Sequence, residues 1–206
     1  MSSDLIRIHI LDGRCRPNRW QDVLVREECQ RARRFLKDSD RDCFIARRVG
    51  LRQILAGELS LAARDVNIEY GASGKPMLSS THGSSIQFSA SSSQGLIAIA
   101  VSSGPRVGID IEYVRQLADV MAVTEVAFWE EAGRLASMRE PQRTHAFYEC
   151  WVALEARGKF EGVGITQPLL RRNRPVRLFR IGHKYVGAIC AEDKVTLTSN
   201  TVPIWS

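Results

Sequence analysis

Apolar and polar positions along the chain alternate between helical period and strand period. Residues 22–37 and 40–58 carry apolar positions at helical spacing, the second run through Phe44, Val49, Leu51, Ile54 and Leu55, and predict two helices. Gly50 lies inside the second run and weakens it slightly. A short strand is predicted over 65–70, followed by a Gly/Ser/Pro-rich loop to Ser85. Ile86, Phe88 and Ala90 alternate as a strand, and residues 95–101 are continuously apolar, the pattern of a strand buried on both faces. Ser103-Gly104-Pro105 marks a turn between two halves. Beyond it come a strand over 107–113, helices near 119–138 and 143–160, and strands near 175–181 and 184–191. The apolar run at 185–191 echoes 95–101, too faintly to count as a repeat on its own.

The strand at 107–112 is where chemistry enters. Val107, Ile109 and Ile111 point one way, and Gly108, Asp110 and Glu112 the other. Two carboxylates on one face of a strand can share a cation, and Gly108 is expected to leave the backbone beside them open to a ligand. The helix predicted near 143–160 carries an apolar stripe through Phe147, Trp151 and Leu154. Trp151, Glu155 and Lys159 follow at i, i+4 and i+8, so a third carboxylate and a lysine share one helix face. Gly162 and Gly164 are expected to end that helix. Three carboxylates together with phosphate oxygens and waters suit Mg²⁺. Taken singly, each segment also fits solvated surface; their combination and spacing carry the argument.

Composition narrows the class. The chain has 206 residues, 44% hydrophobic and 25% charged, enough for one sizeable core or two small ones. No apolar run approaches ~20 residues, so no membrane-spanning helix is predicted. Met1-Ser2-Ser3-Asp4 lacks the basic and apolar regions of a signal peptide. Five cysteines without a CxxC pair suggest reduced thiols, and a cytoplasmic protein is expected. The net charge of +6 admits a nucleic-acid partner, or an anionic cofactor together with an acidic protein. The arginine clusters at 26–34 and 171–180 are not interleaved with aromatics as a base-stacking platform would be.

Several motifs in order give the chain a resemblance to a known family. Val107-Gly108-Ile109-Asp110-Ile111-Glu112, then Trp151 to Glu155 and Lys159, then Gly162-Val163-Gly164-Ile165, resemble the 4′-phosphopantetheinyl transferases of the Sfp type. Arg33-Arg34-Phe35 with Asp40-Arg41-Asp42, Tyr70-Gly71 with Gly74-Lys75-Pro76, Phe88 to Ser93, and His183-Lys184-Tyr185 to Ala191 extend the resemblance over most of the chain. It implies an α+β fold of two similar lobes in a pseudo-dimer, residues 1–105 and 106–206, with the active site between them. It also implies transfer of the phosphopantetheine arm of coenzyme A to a serine of an apo carrier protein. Asp110, Glu112 and Glu155 would hold Mg²⁺, Glu155 and Lys159 would act at the phosphates, and Arg31, Lys75, Ser91, Ser92 and Lys159 would meet the nucleotide. The expected partners are coenzyme A and an acidic acyl or peptidyl carrier, without nucleic acid or membrane, and the expected state is a monomer. The base is left open among Glu130, Glu131, Glu155 and a metal-bound water.

Three departures bear on activity. Ser92 stands where the family has a histidine for the 3′-phosphate, Leu154 where it has a lysine, and Cys43 where an arginine is expected. They motivate the alternative of a retuned homologue that binds coenzyme A or a carrier without efficient transfer.

Overall fold

Strand β1 (Leu5–Asp12), which the sequence reading does not include, lies inside the first sheet. Its partners lie far away in sequence: β5 (Leu96–Ser102) pairs with it antiparallel and β9 (Thr196–Asn200) parallel. The edge strand β4 (Gln87–Ser93) pairs antiparallel with β5, giving the order β4-β5-β1-β9. The second sheet is antiparallel, with β8 (Tyr185–Ala191) between β6 (Val107–Tyr113) and β7 (Val176–Ile181). A small hairpin joins β2 (Ile68–Tyr70) to β3 (Pro76–Leu78). This computed structural model describes residues 5–163, 174–192 and 196–200. Gly164, Ile165, Arg171, Arg172, Lys194 and the first four residues lie outside the described residues.

The helix predicted over 22–37 is divided into α1 (Trp20–Val23) and α2 (Arg26–Ala32), because Leu24 is fully buried and both Leu24 and Val25 are extended. Helix α3 (Asp38–Leu59) runs unbroken through Gly50. The run near 119–138 is likewise split, into α4 (Val120–Ala127), a single 3₁₀ turn at Trp129–Glu131 and α5 (Ala132–Ala136). Helix α6 (Gln142–Glu161) matches its prediction closely, and Gly162 closes it in the left-handed region at φ 71°.

Each face of these sheets has an apolar partner. Leu11, Ile97, Ile99 and Val101 pack against α3 residues such as Leu51 and Leu55. The opposite faces of β1 and β5 present Ile6, Ile8, Ala98 and Ala100 to Val107, Ile109 and Ile111 of β6. Val186, Ala188 and Cys190 of β8 then pack on α6 through Val152, Ala156 and Phe160. The layers therefore run α3, first sheet, second sheet, α6. Among the described residues no helix is long and apolar enough to cross a membrane.

Strand β6 departs from the half-buried reading. Residues 107–111 are all buried. The space beside Gly108 belongs to α6: a Cβ there would lie 2.1 Å from the Ala156 carbonyl oxygen and 2.4 Å from the Phe160 nitrogen. Gly108 therefore does not open the backbone to a ligand as expected. It lets a helix backbone press directly on the strand, which brings α6 and its polar side chains down to Asp110.

Candidate functional site

Asp110 is the centre of the polar cluster, with only 3% of the residue exposed. Its Oδ1 accepts hydrogen bonds from the Ser91 hydroxyl at 2.7 Å and from the Lys159 ammonium at 2.8 Å. Lys159 also lies 3.5 Å from the Ala90 carbonyl oxygen. The other oxygen of Asp110, Oδ2, is buried and has no hydrogen-bond partner. A buried carboxylate oxygen left unpaired costs free energy, on the order of 1–3 kcal/mol or more for a charged group, so Oδ2 calls for a partner such as an ordered water or a cation.

Glu112 and Glu155 flank this centre. Glu112 accepts from the Ser93 hydroxyl at 2.6 Å. Burial, followed by the charge of Asp110, holds its carboxyl above the ordinary range, and the Ser93 bond acts the other way. Burial also raises Glu155, and the charges of Asp110 and Glu112 add to that effect. The three carboxylates thus sense one another. Among the described residues, however, no three acidic, histidine or cysteine side chains are gathered closely enough to hold a metal as placed.

Two cavities meet this cluster. One, of about 360 Å³, is lined by Lys75, Phe88, Ser89, Glu155, Lys159 and Gly162 among others. A second, of about 290 Å³, has a mixed wall that includes Glu112, Tyr113, Arg115, Phe147 and Trp151. Neither is lined by Glu130 or Glu131; Glu131 instead pairs with Arg134.

The residues expected to grip a nucleotide are not all brought together. Lys75 lines the first cavity, where its ammonium donates to the Val107 carbonyl at 3.3 Å. Burial, assisted by the charge of Arg106, pushes its pKa down to about 8. Arg31 is exposed on α2, its guanidinium 5.4 Å from the centre of the Phe44 ring, in a separate surface hollow with Arg34 and Phe35. Strand alternation sends Ser91 and Ser92 to opposite sides of β4. Ser91 reaches Asp110, whereas Ser92 lies on the side of the Cys43 thiol and Arg47. That thiol is pushed up chiefly by burial. Leu154 is a core residue of α6, 7% exposed, which leaves the helix's polar work to Glu155 and Lys159.

Lys75 has a measurable signature. Its pKa is lower folded than unfolded, so between about pH 8 and its ordinary value near 10.5 the unfolded chain binds more protons. Stability is therefore expected to gain a contribution as pH rises through that window. Lys75→Met should flatten the rise in melting temperature between pH 8 and 10; identical profiles for both proteins would show that Lys75 is not held in a desolvated site.

Ser89 and Ser93 join the cluster, although the sequence reading gives them no role. Serines at 89, 91 and 93 alternate along β4, and period-2 hydroxyls on one strand face were the available signal. Ser89 accepts from the Ile109 N–H at 3.1 Å and Ser93 from the Tyr113 N–H at 3.1 Å. The hydroxyls thus satisfy donors along the edge strand β6 that no neighbouring backbone reaches.

Comparison with known proteins points the same way. Residues 106–200 match the profile of the 4′-phosphopantetheinyl transferase superfamily. The chain is 34% identical over 147 residues to 4′-phosphopantetheinyl transferase HetI of Nostoc sp. strain PCC 7120, covering 70% of this chain and 62% of that protein. It is 29% identical over 148 residues to slr0495 of Synechocystis sp. strain PCC 6803, which bears the same transferase name provisionally, covering 71% of this chain and 60% of that protein. The matched stretch spans less than two thirds of either relative.

Proposed function

We infer that this chain is a member of the 4′-phosphopantetheinyl transferase superfamily, of the Sfp type, and that it transfers the phosphopantetheine arm of coenzyme A to a serine of an apo carrier protein. The observation that carries the reading is Asp110, buried, paired with Lys159 and Ser91 through one oxygen and left open at the other, beside Glu112 and Glu155. The family match over 106–200 covers all three carboxylates. The layering, with α3 on one sheet and α6 on the other, supports two similar lobes divided near 105 with the site between them, and β9 returning to the first sheet.

Asp110, Glu112 and Glu155 are the residues that would hold Mg²⁺, which when bound neutralises charge on diphosphate oxygens. The all-oxygen donor set and the unpartnered Asp110 oxygen fit that cation. The cavity lined by Lys75 and Lys159 offers two ammonium groups to the anionic end of coenzyme A. In the reaction the carrier hydroxyl oxygen forms a bond to the β-phosphorus. The bond from that phosphorus to the bridging oxygen breaks, and adenosine 3′,5′-bisphosphate leaves. The hydroxyl proton needs an acceptor, and Glu155, which lines the first cavity beside Lys159, is the carboxylate we assign to that role. Lys159 supplies fixed positive charge as the leaving oxygen gains negative charge.

The test is to incubate the protein with coenzyme A, Mg²⁺ and a panel of apo carriers, and to follow intact mass. Addition of one phosphopantetheine arm is expected, at a rate that falls with salt because the +6 chain meets an acidic partner. No mass gain on any carrier, combined with retained coenzyme A binding, would favour the retuned homologue instead. Salt-sensitive binding to random DNA without carrier modification would favour a nucleic-acid role.

A further inference from the structure

We propose that Ser91 and Ser93 are positioning residues of the metal site: each hydroxyl ties down one carboxylate oxygen, of Asp110 and Glu112 respectively, and thereby presents the remaining oxygens to a divalent cation. The proposal rests on the metal-site reading above.

Hydrogen-bond arithmetic fixes which way these hydroxyls point. A serine hydroxyl carries one hydrogen and two acceptor lone pairs. Ser93 already accepts from the Tyr113 N–H at 3.1 Å, so its single hydrogen is free to go to Glu112, 2.6 Å away. The hydroxyl is held between a backbone donor and a side-chain acceptor, with no alternative orientation that satisfies both. Ser91 is buried, 6% exposed, and an ionised carboxylate can only accept, so the 2.7 Å contact places its hydrogen on Asp110 Oδ1. Lys159 takes the same oxygen. Both donors converge on Oδ1, which leaves Oδ2 buried and unpartnered.

Such an arrangement suits a ligand that must not swing. A carboxylate bound at one oxygen by a short side chain on a strand has little freedom at the other. The supports come from β4 while the carboxylates come from β6, so the first sheet holds the ligands that the second sheet carries. Groups that hydrogen-bond a metal ligand typically change metal affinity by about 10–100-fold when removed.

Ser89 supplies the internal control. It sits on the same strand and the same face, and its hydroxyl also bonds the β6 backbone, at the Ile109 N–H, but it touches neither carboxylate. A purely structural role for the serine row would make all three positions equivalent.

The experiment measures Mn²⁺ binding to the full chain by calorimetry, with the loss of the free-Mn²⁺ electron paramagnetic resonance signal as a second readout, without coenzyme A or carrier. Ser91→Ala and Ser93→Ala are each expected to weaken Mn²⁺ binding about tenfold, whereas Ser89→Ala keeps wild-type affinity although its melting temperature falls. Ser93→Thr, which keeps the hydroxyl, should restore affinity. Wild-type affinity in both Ser91→Ala and Ser93→Ala would overturn the positioning role and leave the carboxylate site standing, as would equal weakening in Ser89→Ala. Wild-type affinity in Asp110→Asn, or no binding by the wild-type chain, would overturn the metal-site reading and this proposal with it. A melting curve on each variant separates loss of affinity from loss of fold.

Discussion

Asp110→Asn is expected to reduce carrier modification about 10²–10³-fold, the scale at which removal of one preorganised charge-stabilising group acts, while the protein still folds. The substitution keeps the shape of the side chain and an acceptor oxygen for Ser91 and Lys159, but removes the negative charge that faces the buried, unpartnered position. Asp110→Ala is a harsher change. It also strands the Lys159 ammonium and the Ser91 hydroxyl. From sequence, three clustered carboxylates suggest that losing one relieves repulsion and raises thermal stability. The ion pair to Lys159 reverses that expectation for Asp110, and the melting temperature of Asp110→Ala should fall. The measurement is intact-mass turnover at limiting Mg²⁺ alongside thermal unfolding. Near-normal turnover by Asp110→Asn in a folded protein would remove Asp110 from the reaction centre.

The largest expected stability effect lies away from the site. Glu28 on α2 is buried and bonded to two arginines of α3: Arg48, and Arg52 at 2.7 Å. It also receives the Val25 N–H at 3.2 Å. Arg52 passes the linkage on, donating to the carbonyls of Ala63, Arg64 and Val66. Arg48 and Arg52 are 6% and 2% exposed, so Glu28→Ala leaves two cations in the interior without a counter-charge. Breaking a buried ion pair from one side costs about 3–5 kcal/mol, and Glu28→Ala should unfold at correspondingly lower denaturant with an unchanged slope. Glu28→Gln keeps the acceptor geometry of one oxygen and should fall between. A change below 1 kcal/mol in Glu28→Ala would mean that water reaches the arginines and that the network is not what locks α2 to α3.

Some of this molecule follows from local order alone. Residues 107–113 and 142–161 form the strand and the helix that their apolar periods, 2 and about 3.6, predict, although the strand is buried on both faces rather than one. Residues 97–101 are wholly buried, as a continuous apolar run requires. The left-handed closure at Gly162 is likewise a local matter. The placing of Asp110 and Glu112 on one face, and of Glu155 and Lys159 on another element, needed only these periods.

Tertiary structure decided what those side chains meet. Strand β1 draws its stability from pairing with β5, about 90 residues on, and no local pattern encodes that partner. Gly108 looked like an opening in the strand and is instead the seat of α6, since only close packing shows which backbone fills the missing Cβ. Ser91 and Ser92 are neighbours in sequence yet face different layers, one toward Asp110 and one toward Cys43. Sequence alone put forward Asp110, Glu112, Glu155 and Lys159 as candidates for chemistry. The approach of two sheets through a row of serines decided which of those groups are buried, which are paired, and which single oxygen of Asp110 is left to receive something else, because burial and pairing depend on contacts between residues far apart in the chain.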